Sequence, residues 1–326
     1  MQYKKAEAKE FARENFIGLW GAPPYSYDPD GNLDLEDLKK NVRYYAEVLK
    51  VQGIFVGGFV NEHWSLTVEE RKQAIQASLE AAKGEVVIAP MTTHHCMADC
   101  LEMTRFAQDA GAEIAIIMNP YLAARTEKTI FEFFHHLCDR VEIGISLFNS
   151  GYSGYYLTPD QVSTLADIPN VCAIKNATMD VRHTAEVFRK AGERLVVSDP
   201  EEAHLLNGVR FFDQQLFHSS PTLHLYQTPE NLGIQRYFHL AREGKTTEAL
   251  QEYASLAPAR ALAKKWLWDP WYDNRLPIAH LKYWSELMGL KAGGGVRPPL
   301  DDIQEGEKEA LRKDLESVGL VAKQAA

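Results

Sequence analysis

The chain of 326 residues is 45% hydrophobic and 25% charged, which supplies apolar material for a large core and excludes a disordered or fibrous protein. A formal net charge of -10 with no concentrated run of Lys and Arg argues against a nucleic-acid partner. No stretch approaches the roughly 20 apolar residues that cross a bilayer, and the cations after Met1 have no apolar segment behind them, so a cytoplasmic protein without leader or membrane partner is expected.

Short β-branched runs alternate with longer amphipathic stretches, the pattern of repeated βα units around a parallel sheet. In chain order, strands are expected at 16–21, 53–59, 86–91, 113–118, 142–148, 171–175 and 195–198, with a poorer one at 211–217. Helices are expected between them at 35–49, 67–82, 97–109, 127–138, 159–165, 181–190 and 200–206. Eight strands suit a closed (β/α)8 TIM barrel better than an open doubly wound sheet of about five or six. From about Pro229 only helical patterns remain, at 230–242, 246–263, 278–288 and 305–317, broken by the Gly/Pro-rich stretch 292–299. The expected division is therefore 1–228 for the barrel's strands and helices, and 229–326 for a barrel-closing helix and a C-terminal helical region. Cys96, Cys100, Cys138 and Cys172 are too scattered for a disulfide framework and are expected as thiols.

Catalytic residues of a barrel sit at the C-terminal strand ends. Lys175 ends the run Val171-Cys172-Ala173-Ile174-Lys175, and alternation along the strand places it on the face of Ala173, inside the barrel or at its mouth. Burial there lowers an amine's pKa toward the range where the neutral form attacks a carbonyl. The ordinary alternative is a lysine that snorkels to the rim or pairs with a carboxylate. After the second strand, Gly57-Gly58-Phe59-Val60-Asn61 offers close backbone approach and successive amides for a carboxylate. Ser65 or Thr67 with Glu69 and Glu70 reads as a helix cap, and Glu62 as a residue that orients the loop.

Several segments together resemble the dihydrodipicolinate synthase and N-acetylneuraminate lyase family. They are 28–34 after the first strand, Gly58 to Glu62 with 65–71, Asn119-Pro120-Tyr121, Leu147-Phe148-Asn149, Ile174-Lys175, and in the tail Leu276-Pro277-Ile278-Ala279 with Arg297-Pro298-Pro299-Leu300. The resemblance implies a TIM barrel, a homotetramer or dimer, no cofactor, and class I lyase chemistry on a 2-oxo acid, with Lys175 at the Schiff-base position. A protonated imine is an electron sink that stabilises negative charge at the neighbouring carbon.

The pattern departs from the family at the proton carriers. Phe148 stands where the family has a tyrosine, Phe59 and Val60 replace a threonine pair, Leu122 replaces the second tyrosine of Pro-Tyr-Tyr, and Ser153 stands in place of an arginine for an aldehyde's carboxylate. Phenylalanine neither donates nor accepts a proton. The expected substrate site is Gly58, Phe59, Val60, Asn61, Phe148, Tyr121, Leu122 and Ser153, with Asp213 of the polar run Asp213-Gln214-Gln215 facing a polar ligand group. His63 and Tyr152 are candidate replacement proton carriers, ahead of His94, His95, Tyr155 and His218. His94, His95, Cys96, Asp99 and Cys100 are metal-compatible residue types, but adjacent histidines usually point apart, and no metal is expected. Trp64, Trp266, Trp268, Trp271 and Trp284 read as core or interface residues rather than substrate platforms. Three functions follow: a Schiff-base aldolase or hydro-lyase that is not a true dihydrodipicolinate synthase, a barrel that has lost its relay and only binds a small oxo acid or serves a structural role, or an imine enzyme that uses another base for a different reaction, such as decarboxylation or retro-aldol cleavage of an aromatic adduct.

Overall fold

A computed structural model describes residues 2–121, 125–273 and 275–321. Its parallel strands are β1 (Gly18–Gly21), β2 (Gly53–Val56), β3 (Val87–Pro90), β4 (Ile114–Met118), β5 (Gly144–Ser150), β6 (Val171–Ala177), β7 (Val196–Ser198) and β8 (Leu216–His218). They pair in the orders β3-β2-β1-β8 and β4-β5-β6-β7. A parallel bridge from Met91 to Ile116 closes one seam, and the His218 amide donates to Ser198 Oγ at 2.8 Å across the other. The result is the expected TIM barrel. Its strands are covered on both faces, which is why they read as continuous apolar runs rather than as alternation.

The helices start where side chains can satisfy their first amides. Asp34 caps Leu35–Glu47, Thr67 and Glu70 form a reciprocal box at Val68–Ala82, Thr158 and Gln161 do so at Pro159–Leu165, and Asp180 caps Val181–Ala191. A further helix, Ala8–Asn15, was not expected from the sequence. It lies under the barrel's lower end, where Tyr3 Oη accepts from the Gly144 amide at 2.7 Å and Lys9 donates to the Ala166 carbonyl.

The eighth strand is shorter than expected. Phe211 and Phe212 finish the helix Glu202–Phe212, and only Leu216 to His218 pair with β1. Asp213 is the left-handed residue that closes that helix, at φ 51°, and its side chain is 88% exposed and ion-paired with Arg242. It therefore lies at the entry of β8, away from the mouth, and faces no ligand. The polar run is a hydrogen-bonded corner: Gln214 Nε2 donates to the Leu216 carbonyl at 2.9 Å, and Gln215 Nε2 to that of Phe16 at 2.9 Å.

The C-terminal helices begin with Gly233–Arg242, and the expected long helix 246–263 divides into Thr246–Ser255 and Ala257–Ala263. Pro258 has no amide to give to the preceding turn, so the helix breaks there. A π-helical turn at Lys264–Trp268 follows, then Asp269–Tyr272. Arg260 anchors this arm to the barrel by two hydrogen bonds to buried Glu202, at 2.6 and 2.8 Å, and Tyr237 Oη donates to the same carboxylate at 2.7 Å. One apolar cluster runs from the barrel interior into the C-terminal helices, and a second packs β4 to β7 against the helices that cover them. Among the described residues, no helix is long and apolar enough to cross a membrane.

Candidate active site

The barrel interior beneath the mouth is aromatic. Trp20 packs on His218 with ring centroids 5.5 Å apart, and Phe55 contacts His218 at 5.1 Å and Phe148 at 6.0 Å. Gly53 makes room for this stack, since a Cβ there would approach the Trp20 ring to 2.4 Å. His218 is buried, its Nε2 has no partner among the described residues, and burial together with the nearby Lys175 charge holds its pKa far below the ordinary value. A neutral imidazole fills the layer below the lysine.

Lys175 ends inside this layer at 2% exposure. Its Nζ donates to Ser220 Oγ at 2.9 Å and to the Ser219 carbonyl at 3.3 Å, and stands 4.6 Å from the Phe55 centroid and 5.1 Å from that of Phe148. Neither serine carries a charge, so desolvation is uncompensated and pushes the amine's pKa down to about 7. Lys175 is therefore no rim lysine, and among the described residues it is not half of an ion pair. Its amine, far more readily deprotonated than an ordinary lysine's, is hydrogen-bonded and lines a cavity of about 640 Å³.

Phe59, Val60, Phe148 and Tyr152 line that cavity with Lys175, together with Ser219, Ser220 and Glu201. Phe148 faces Lys175 directly, because the two are register partners between β5 and β6. Phe59 and Val60 begin the turn Phe59–Asn61, and the first amides of such a turn have no acceptor within it. The Gly58 amide is not free. Asn61 Oδ1 accepts it at 2.8 Å, while Asn61 Nδ2 reaches the Pro23 carbonyl, so Gly58 and Asn61 shape the turn. Glu62 follows in the left-handed conformation, at φ 51°, and is buried. It receives Lys282 Nζ at 3.5 Å and the Arg297 amide at 3.0 Å. Arg297 also donates to the Gly31 carbonyl at 2.7 Å and to that of Ser65 at 3.0 Å, so the tail motif holds the turn from outside.

Other expected site residues fall elsewhere. Ser153 is buried, and its hydroxyl bonds the carbonyls of Tyr155 at 2.7 Å and Ser150 at 3.0 Å; it braces the β5 loop and does not line the cavity. Tyr121 lies beside His95, ring centroids 6.4 Å apart, and is likewise off the lining; Leu122 lies outside the described residues. His63 packs edge-on against the outer side of Phe59 at 4.9 Å, also off the lining. Burial, then the Arg71 charge, pushes its pKa down to about 3, and a side chain so placed is poorly suited to relay protons to Lys175. Tyr152 does reach the cavity, and burial raises its phenol above the usual range. His94 and His95 stack at 4.3 Å instead of pointing apart, with His94 held by Asp99 at 3.2 Å. Among the described residues no three His, Cys, Asp or Glu side chains gather closely enough to hold a metal ion.

Two features were missed from the sequence. Trp268 and Trp271, expected in core or interface, line the cavity, with Tyr272 and Leu276 beside them. A chain of buried amides also ties the strand ends together: Asn119 Nδ2 donates to Asn149 Oδ1 at 3.0 Å, Asn149 Nδ2 to Asn176 Oδ1 at 2.9 Å, and Asn176 Nδ2 to Thr184 Oγ1 at 3.0 Å. This buried network, in which Asn119 Oδ1 alone of the three asparagines' amide oxygens has no partner among the described residues, ties β4, β5 and β6 together beside Lys175. Asparagines directly after apolar strands were the available signal.

Comparison with known proteins places the same features in a family. Residues 15–318 match the model of the dihydrodipicolinate synthetase family. The 4-hydroxy-tetrahydrodipicolinate synthase of Methanoculleus marisnigri is 30% identical over 298 residues, 91% of this chain and 96% of the relative. That of Halorhodospira halophila is 29% identical over 293 residues, 89% and 91% of the two chains. A crystal structure of an E. coli K12 prophage protein of the dihydrodipicolinic acid synthase family, in complex with pyruvate, superposes with a TM-score of 0.77 at 24% identity, covering 94% of this chain and 99% of the other.

Proposed function

The chain belongs to the dihydrodipicolinate synthetase family of lysine-imine lyases, and from that premise we propose that Lys175 forms a Schiff base with a 2-oxo acid in a reaction other than 4-hydroxy-tetrahydrodipicolinate synthesis. The observation that carries the proposal is the buried, uncharged-partnered amine of Lys175 at the floor of the cavity. Its lone pair attacks the carbonyl carbon, water leaves, and the iminium draws electrons from the adjacent carbon. In this reading the Phe59 and Val60 amides, at the start of the lining turn, take the substrate carboxylate. Membership of an enzyme family and a lysine kept at the cost of burial both speak against a barrel that only binds.

The second half of the proposal rests on Phe148. It faces Lys175 across the β5–β6 pair where the family's phenol stands, and Ser153, in place of the arginine, is consumed by backbone. Supplied with the substrates of the synthases it resembles, the protein is expected to form their product at less than about 1% of a relative's rate, since a general acid/base group contributes roughly 10²–10⁴-fold. Product formation at a relative's rate would sink this half. Assembly as a homotetramer or dimer belongs to the same proposal, and light scattering after gel filtration tests it.

Adduct formation tests the first half. Incubation with pyruvate and borohydride should add the reduced pyruvyl group to the peptide bearing Lys175. The initial trapping rate should rise with pH between about 6 and 8 with a midpoint near 7, because the attacking form is the neutral amine and burial has brought its pKa to about 7. A rate still climbing steeply at pH 10 would mean an ordinary exposed lysine.

A further inference from the structure

The outer part of the cavity has a composition that the imine does not explain. From Phe148, beside the lysine, ring contacts lead outward without a break: Phe148 to Phe59 at 5.8 Å, Phe59 to Tyr152 at 3.9 Å, Tyr152 to Trp271 at 5.8 Å, and Trp271 to Trp268 at 6.4 Å between centroids. Tyr152, Tyr156 and Tyr272 remain 43%, 46% and 64% exposed around the mouth. Large aromatic surface left in water next to a reactive group marks a binding site. Charge narrows the occupant. Among the described lining residues Lys175 is the one cation, and Glu201 adds a carboxylate that accepts from the Ala203 amide at 3.2 Å and has no ion pair among the described residues. An aldehyde carrying its own carboxylate would meet that carboxylate and find no second cation, whereas an uncharged aromatic ring would meet a wall of π faces.

We infer that the cavity's outer wall, Phe59, Tyr152, Trp268 and Trp271, binds the uncharged aryl group of a 4-aryl-4-hydroxy-2-oxo acid, which the enzyme cleaves to an aryl aldehyde and a 2-oxo acid. This rests on the Lys175 imine proposed above and names the substrate class of that site. Lys175 Nζ adds to C2 and water leaves, giving the iminium. The C3–C4 bond then breaks with its electrons passing into the iminium, and the C4 hydroxyl loses its proton to cavity water as it becomes the aldehyde. The resulting enamine takes a proton at C3, and water hydrolyses the iminium to free the 2-oxo acid and the amine. One water is released and one consumed, and no oxidant or reductant is required. About 640 Å³ accommodates both parts, since an aryl ring occupies a site of roughly 150 Å³.

The condensation direction is the convenient test. With pyruvate fixed, kcat/KM for benzaldehyde should exceed that for succinic semialdehyde by about 100-fold. Trp271→Ala should lower the benzaldehyde value at least about 10-fold, Trp271→Phe should restore it to within about 3-fold of wild type, and Glu201→Gln should improve the acidic aldehyde relative to benzaldehyde. Equal or reversed preference between the aldehydes, or indifference to Trp271→Ala in a variant with a wild-type melting temperature, would overturn the assignment. The wall is also read without the imine. Titration of Lys175→Ala with 2-naphthylmethanol should quench tryptophan fluorescence saturably, and Trp271→Ala in that background should weaken the binding. No saturable binding would overturn the aryl site even where pyruvate is trapped on Lys175, and binding without pyruvate trapping in the wild type would instead remove the imine chemistry and with it the cleavage reaction.

Discussion

Lys175→Ala is expected to abolish the borohydride-trapped adduct with pyruvate and to lower turnover by roughly four orders of magnitude or more, the scale on which loss of a covalent nucleophile falls. No neighbouring amine can substitute, because Lys175 is the one cation among the described residues lining the cavity. The same residue makes an opposite prediction for stability. Its folded pKa of about 7 lies below the ordinary 10.5, so between those values the unfolded chain binds more protons than the folded one and stability rises with pH. The penalty for burying the amine is full below pH 7 and gone above about 10.5. Lys175→Met should therefore be more stable than wild type near neutral pH, by on the order of 2–4 kcal/mol, with the advantage shrinking as pH rises through that window. Urea unfolding of both proteins at pH 6.5 and pH 10 measures this. A methionine variant that is inactive and also less stable at both pH values would show that Lys175 serves the fold.

The second large effect lies outside the cavity. Lys282 and Glu62 form an ion pair at 3.5 Å with side chains 4% and 1% exposed, and Lys282 Nζ also sits 4.3 Å over the Tyr27 ring and donates to the Gly295 carbonyl. Removing one partner of a buried pair strands the other's charge. Lys282→Ala should cost about 3–5 kcal/mol in denaturant unfolding. It should also raise KM for the oxo acid, because Glu62 directly follows the turn that carries the Phe59 and Val60 amides. The double variant Glu62→Gln, Lys282→Met leaves no buried charge and should be less destabilised than Lys282→Ala alone. If the double variant proves worse than the single one, the pair contributes net stability and the stranded-charge account fails.

Much of the barrel was legible in the chain. The β2 to β7 strands and the helices following β1 to β6 fall close to where apolar runs, helical periodicity and caps such as Asp34, Thr67 and Asp180 place them, while the helix after β7 runs on to Phe212, past the expected 206. These are local signals, carried within a few residues. The Phe148–Lys175 juxtaposition was legible too, through ordered motifs on adjacent strands. The polar run Asp213-Gln214-Gln215 misled because a strand was extended back across the end of a helix. Phe211 and Phe212 satisfy either period, and only pairing with β1 decides which residues are strand.

What the sequence determined by itself is the architecture and the placement of one lysine at a strand end, because periodicity and turn chemistry specify elements and a barrel specifies which ends meet. The amine's depressed pKa depends on burial with no charged partner around Nζ among the described residues, a property of distant residues brought together by folding. Whether a polar residue is free for substrate was decided the same way. Asn61 caps Gly58, Ser153 is taken by backbone carbonyls and Asp213 turns to Arg242, while Trp268 and Trp271, nearly a hundred residues beyond Lys175, are swung over the mouth by the π-turn and the Arg260–Glu202 anchor. Burial and hydrogen-bond satisfaction are global quantities, and a one-dimensional spacing does not contain them.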